Sequence, residues 1–69
     1  MQHVECISSS TYAERPIAFV WSGVRLEVKA IERQWRTPAG VGFRVQTMDG
    51  QIFELFYGEE TDEWTIHQP

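Results

Sequence analysis

Three residues of this chain are of the types that most often bind metals or act as nucleophile and base: His3, Cys6 and His67. They lie near opposite ends of the sequence, so they meet only if the first and last strands are neighbours. Zinc sites use three or four protein ligands, and carboxylates would have to complete the set. A nucleophile would need Cys6 beside a histidine. We keep a metal or enzyme site here as the weakest of three hypotheses, and expect no cofactor and no enzymatic activity.

An acidic cluster follows residue 58: Glu59, Glu60, Asp62 and Glu63. It lacks the alternating spacing of a calcium-binding loop, so we interpret it as a solvated loop. The segment "GVG" at 40–42 is not a phosphate-binding loop either, because no helix is predicted to follow it. No motif in the chain predicts a catalytic residue.

Arginines and aromatic residues alternate in the middle of the chain, where Arg33, Arg36 and Arg44 lie close to Trp35 and Phe43. This pattern is typical of strands that stack nucleic-acid bases on aromatic rings. The net charge of −4 opposes it, since phosphate attraction supplies most non-specific affinity. All six basic residues precede position 45, with four acidic ones, and six acidic residues with no basic ones follow. We therefore favour a protein-interaction module, with single-stranded nucleic-acid binding as the alternative.

Length and composition predict one small domain spanning residues 1–69. A chain of this size buries only about 60% of its unfolded surface. One cysteine allows no intramolecular disulfide, so dense aromatic packing or self-association must supply stability. The longest apolar run, "IAFVW", is too short to cross a bilayer, and the first residues do not resemble a signal peptide. We expect a cytoplasmic protein without membrane contact.

Hydrophobic periodicity predicts strands. Apolar residues alternate with polar ones in "VRLEVKA", "VGFRVQT" and "FELFY", a period of two, and no long segment keeps a period of 3.6. These segments predict strands at about 24–36, 41–47 and 51–57. With "IAFVW" and short terminal strands they predict an all-β antiparallel meander of five or six strands, curled into an SH3-like or partly open barrel.

Side-chain pairing predicts the turns, because a register shift of one residue turns every side chain to the other face. Ser22-Gly23 as a two-residue turn keeps apolar residues opposite each other. The resulting pairs are Trp21 with Val24, Phe19 with Leu26, and Ile17 with Val28. In "TMDGQ" a three-residue loop with a left-handed Gly50 is predicted over an Asp-Gly turn, since it sets Arg44 opposite Glu54. Its other pairs are Val45 with Phe53, Phe43 with Leu55, and Val41 with Tyr57.

The same reasoning applied to "TPAGV" predicts another three-residue loop, with a left-handed Gly40. Its pairs are Thr37 with Val41, Trp35 with Phe43, Arg33 with Val45, and Gln34 with Arg44. The apolar phase changes after Ala30, which predicts a bulge or bend near Ala30 and Ile31. In this register Trp35 belongs to the core. Arg33 then lies at the core's edge, or serves as a cation–π or anion-binding residue.

The face opposite the predicted core carries Ile52 and Phe56. They are either covered by a terminal strand, at 3–8 or 64–67, or exposed as a contact patch. An exposed patch favours a protein partner or a homodimer. The candidate binding residues are Arg33, Arg36, Arg44, Ile52 and Phe56.

The run from "YAERP" through "FVWSG", "IERQWRTPAG" and "FRVQTMDGQIFELFY" to "DEWTI" resembles a small uncharacterised family of bacterial β-domains. Similar domains occur at the C-terminus of mutasome-type, Y-family polymerase-like proteins. The resemblance covers about residues 12–66 and brings no catalytic or ligand residues with it. It implies a non-enzymatic β-domain that serves as an accessory contact module in DNA repair or replication.

Overall fold

A computed structural model describes residues 3–7 and 15–69, and these residues form strands and turns with no helix. The strands are β1 (Val4–Ile7), β2 (Arg15–Trp21), β3 (Val24–Thr37), β4 (Gly40–Thr47), β5 (Ile52–Gly58) and β6 (Glu63–His67). Each pairs antiparallel with the next, in the spatial order β1-β2-β3-β4-β5-β6. The prediction of an all-β meander is confirmed.

Contacts between distant strands show that the sheet curls. The Phe53 ring of β5 meets the rings of Phe19 and Trp21 of β2 edge-on, with centroids 5.0 and 5.3 Å apart. Because β2 and β5 are not neighbours in the sheet, this face must be on the inside of a half-barrel. The buried core on it consists of Phe19, Phe43, Val45, Phe53, Leu55 and Ile66. The predicted partly open barrel is confirmed.

The first hairpin follows its predicted turn. Ser22 and Gly23 both have positive φ, 51° and 77°, as a two-residue hairpin of type I′ requires. The pairs Trp21–Val24 and Phe19–Leu26 are present. The paired residues of β2 and β3 end at Ala18 and Glu27, in the predicted register but one step short of the pair of Ile17 with Val28. The β1–β2 register passes over Ile17, which is 36% exposed. A bulge turns this side chain outward.

The hairpin between β4 and β5 confirms the three-residue loop. Thr47 N–H donates to the carbonyl of Gln51 (2.8 Å), and Gly50 N–H donates to the carbonyl of Thr47 (3.0 Å). Gly50 has φ 88°, so it occupies the left-handed site. All four predicted pairs are present, including Arg44 with Glu54.

The hairpin between β3 and β4 contradicts its prediction. Pro38 and Ala39 form a two-residue turn, and Thr37 pairs with Gly40. Gly40 has no positive φ. It lies in β4 so close to β5 that a Cβ atom would be 1.8 Å from the carbonyl oxygen of Tyr57. The glycine is needed for the close approach of two strands, not for a left-handed turn.

β3 contains two bulges, and they also change the predicted positions of Trp35 and Arg33. The register passes over Lys29 and again over Glu32. The first lies where the change of apolar phase predicts one, and the second reverses its effect. Trp35 therefore lies opposite Gly42, outside the buried core, and its predicted core position was wrong. The predicted pair of Arg33 with Val45 was also wrong, because Arg33 lies opposite Arg44.

An ion pair links β1 to β3 across β2. Arg25 Nε and Nη2 donate to the two carboxylate oxygens of Glu5, at 2.7 and 2.9 Å. These hydrogen bonds lower the pKa of Glu5 and raise that of Arg25. Both groups are solvent-exposed, so the pair orders the sheet edge more than it stabilises the fold.

Candidate binding face

The face opposite the core, called here the outer face, is built from rows of residues that lie opposite each other on adjacent strands. Residues paired across strands share a face. One row crosses β3 to β5: Ala30, Gln46 and Ile52. Two rows cross β3 to β6: Arg33, Arg44, Glu54 and His67; and Trp35, Gly42, Phe56 and Thr65. We call the last one the aromatic row.

Gly42 allows the aromatic row to form. A Cβ atom at this position would lie 2.1 Å from Cε2 of Trp35, so the indole occupies the space that a side chain on β4 would fill. Gly42 is buried, whereas Trp35 stays half-buried. Phe56 is the next residue of the row and is also half-buried. Two aromatic side chains therefore lie along one line of the outer face, separated by a glycine.

The arginine row runs beside the aromatic row and is unequally neutralised. Arg44 is 3.1 Å from the Glu54 carboxylate and 3.7 Å from that of Glu32. Arg33 has no ion pair within the described residues, and its Cζ lies 5.8 Å from the centroid of the Trp35 ring. This distance is within the range of a cation–π contact. Arg33 is thus the unneutralised positive charge beside the aromatic row.

Arg36 does not join this site. It lies opposite Val41, on the side of the strand that faces the core, and its Nη2 contacts both Glu59 carboxylate oxygens at 2.8–2.9 Å. The side chain therefore links β3 to the acidic loop after β5. The prediction that Arg36 shares a binding surface with Arg33 and Arg44 was wrong.

The other four candidates, Arg33, Arg44, Ile52 and Phe56, do share the outer face. The terminal strands β1 and β6 extend the sheet at its edges, so no described strand covers Ile52 or Phe56. Sequence reasoning missed Trp35 as a member of this face. Gly42 could have indicated this position, because a glycine inside a strand often marks the close approach of another group. Here the neighbouring strand carries the tryptophan.

A groove of about 410 Å³ opens at the end of the aromatic row. We call it the β5–β6 groove. Phe56, Gly58, Trp64 and Thr65 line it on β5 and β6, Ala39 lines it on the β3–β4 turn, and Glu60, Thr61 and Glu63 line it along the acidic loop. The Trp64 ring itself packs against Phe43 and Tyr57 on the inner face, so the groove combines the apolar carbon of Phe56 and Ala39 with two acidic residues.

The acidic loop is a folded turn and not an unstructured segment. Asp62 has φ 55°, and its N–H donates to the carbonyl of Gly58 at 2.8 Å. The Tyr57 hydroxyl donates to the Asp62 carboxylate. Glu59 is bound by Arg36, as described above. Glu60 and Glu63 make no ion pair within residues 3–7 and 15–69, so their charges face the groove without compensation.

The metal or enzyme hypothesis gains no support from the placement of its residues. His67 lies on the outer face opposite Glu54, and Cys6 lies in β1 opposite Pro16. Among the described residues, no three histidine, cysteine or carboxylate side chains come together to hold a metal ion.

Comparison of the chain with protein-family models, with curated proteins and with solved structures finds no match. The family resemblance read from the sequence therefore stays a prediction, and its first residues, 12–14, lie outside the described part. None of the described segments is a helix that is long and apolar enough to span a membrane.

Proposed function

We propose that this chain is a non-enzymatic protein-interaction module that binds its partner through the outer face of β3–β6. The observation that carries the proposal is the aromatic row. Trp35 and Phe56 lie on either side of Gly42 in one row of a face that no described strand covers. Tryptophan and arginine are enriched among the few residues that dominate protein interfaces, and Arg33 stacks beside Trp35.

The core does not account for these aromatic residues. It closes around six buried side chains on the inner face, to which neither Trp35 nor Phe56 belongs. Gly42 leaves the space in which the Trp35 indole packs against β4, and this packing restricts its side-chain freedom before any partner binds. Such pre-organisation lowers the entropic cost of association. The single cysteine and the family resemblance lead us to place the module in the cytoplasm, as an accessory contact in DNA repair or replication.

Affinity capture from the native host with quantitative mass spectrometry tests this proposal. Trp35→Ala and Phe56→Ser should fold as the wild type does and lose about 10-fold or more of the captured partner. Met48→Ser, at a loop residue that is 64% exposed, is the control and should capture normally. Trp35→Ala should lower the free energy of unfolding by about 1–2 kcal/mol, because a half-buried side chain buries about half the area of a core residue. Unfolding of both variants would place these residues in a structural role.

One observation favours nucleic acid as a second candidate: Arg33 has no carboxylate partner in the described part and stacks on Trp35. This arrangement suits a base stacked on the indole. Titration with labelled oligothymidine at two salt concentrations separates the candidates. Salt-sensitive binding that Arg33→Gln removes would favour nucleic acid, and absence of binding would leave the protein partner.

A second copy of this chain serves as the partner only if the outer face pairs with itself about a two-fold axis. Sedimentation at micromolar concentration measures this directly. A dimer that Phe56→Asp converts to a folded monomer would identify the aromatic row as the contact. A monomeric wild type would show that the outer face serves a different partner.

A further inference from the structure

The charge distribution of the β5–β6 groove identifies the chemistry of its ligand. Glu60 and Glu63 line the groove, both are exposed, and neither has an ion pair in the described residues. No basic residue lines it. Arg36, the arginine bound to the acidic loop, has its guanidinium on Glu59 at 2.8 Å. The uncompensated carboxylates would therefore repel an anionic ligand and attract a cation.

The apolar residues of the groove further restrict the class of ligand that fits it. Phe56 is the outer-face aromatic residue that lines the groove beside Glu60 and Glu63, and Ala39 adds apolar carbon from the β3–β4 turn. Apolar carbon contributes nothing to binding a small metal ion, and the described residues contain no set of three metal-ligating side chains. A long cationic side chain matches both parts, because its methylene stem packs on apolar carbon while its charged head stays polar.

We propose that the β5–β6 groove binds an arginine or lysine side chain from a basic segment of the partner protein. The stem lies against Phe56, whose aromatic ring also attracts the cation. The head group reaches the carboxylates of Glu60 and Glu63 through charge-assisted hydrogen bonds. The inference rests on the proposed function and adds the partner's chemistry: the aromatic row contacts its apolar part, and the groove binds its charge.

NMR titration of the ¹⁵N-labelled chain tests this with a defined probe. The probe is a short capped glycine–serine peptide with one central arginine, and its matched control carries citrulline, which has nearly the same shape without the charge. The arginine peptide should shift the amide signals of Phe56, Gly58 and Thr65, with binding about 10-fold or more tighter than that of the citrulline peptide. Raised salt should weaken it, as expected for exposed charges. Equal binding of both peptides, binding that maps elsewhere, or no binding overturns the proposal.

Matched variants locate the charge that binds. Glu63→Gln should weaken arginine-peptide binding about 3-fold and the double variant with Glu60→Gln about 10-fold, in the range of exposed ion pairs. Glu27→Gln is the control, since it removes one equally exposed strand carboxylate remote from the groove and should leave binding unchanged. Equal loss in the control and in Glu63→Gln would mean that net charge alone attracts the peptide, which overturns the site.

Failure of this inference is distinguishable from failure of the proposed function. If the arginine peptide does not bind while Phe56→Ser still abolishes partner capture, the outer face is an interface whose partner is not basic at the groove. If Trp35→Ala and Phe56→Ser leave capture unchanged, the proposed interface itself is wrong, whatever the peptide does.

Discussion

Two hairpin turns of this chain share the spacing Thr-x-x-Gly and fold differently. "TPAG" at 37–40 forms a two-residue turn with Gly40 inside β4, whereas "TMDG" at 47–50 forms a three-residue loop with Gly50 in the left-handed region. A Cβ atom at Gly40 would meet the Tyr57 carbonyl oxygen at 1.8 Å, but one at Gly50 would meet nothing within 4 Å. One glycine provides space between strands and the other provides backbone freedom.

The threonines that begin the two turns differ in burial and in their hydrogen bonds. Thr37 Oγ1 accepts from the exposed N–H of Ala39 at 3.1 Å and from the N–H of Gly40 at 3.2 Å. Thr47 is fully buried, accepts from Gln51 N–H at 3.0 Å, and donates to the Asp49 carboxylate. Identical spacing therefore does not define a turn type, because the contacts beyond the turn decide which hydrogen bonds are made.

The largest expected effect is that of Gly40→Ala, which should lower the free energy of unfolding by about 3 kcal/mol, at the upper end of overpacking costs. The added methyl group must separate β4 from β5 because its neighbour is backbone, which cannot rotate away. Chemical denaturation measures the loss. A cost below about 1 kcal/mol would show that Gly40 is a turn glycine after all.

Thr47→Val should cost about 2 kcal/mol, since it leaves the Gln51 N–H without its side-chain acceptor in a part-buried position. Thr37→Val should cost less, about 1 kcal/mol, because water can replace its hydroxyl at the exposed Ala39 N–H, although not at the part-buried N–H of Gly40. Chemical denaturation of the two variants and the wild type measures both costs from the shifts in midpoint. Equal costs would contradict the distinction between the two turns.

Gly50→Ala should cost about 1 kcal/mol, the penalty for a side chain in the left-handed region, with no steric clash added. Gly50→Asn, which tolerates this region better, is the matched variant and should cost less. An alanine variant as stable as the wild type would contradict the left-handed conformation of Gly50.

The smallest effect concerns pH. Hydrogen bonds from Thr47 and then from the Gln51 side chain lower the pKa of Asp49. Because the pKa of Asp49 is lower in the folded protein than in the unfolded chain, the ionised carboxylate stabilises the loop. This stabilisation is fully present above the unfolded pKa and is lost as pH falls through the folded pKa. Unfolding measured from pH 6 down to about pH 2 should show this loss, and Asp49→Asn should flatten it slightly. An unchanged slope in the variant would show that Asp49 contributes nothing.

The sequence alone determined the strands and two of the three predicted hairpin turns, those at Ser22-Gly23 and "TMDG". Period-two patterning placed the strands, and the opposition of Arg44 and Glu54 chose the correct loop for "TMDG". The change of apolar phase located the first bulge of β3. These features were predictable because the residues that decide them are close in the chain and each alternative places charge against apolar carbon.

Only the tertiary structure decided the register of the β3–β4 hairpin, and with it the outer face. The local sequence of "TPAG" predicted a three-residue loop, whereas the structure has a two-residue turn. In that register Gly40 lies in β4, where the Tyr57 carbonyl of β5 leaves no room for a side chain. The second bulge, at Glu32, then turns Trp35 from the predicted core to a position over Gly42. Strand register is a non-local property, since a glycine's role depends on which distant backbone it approaches.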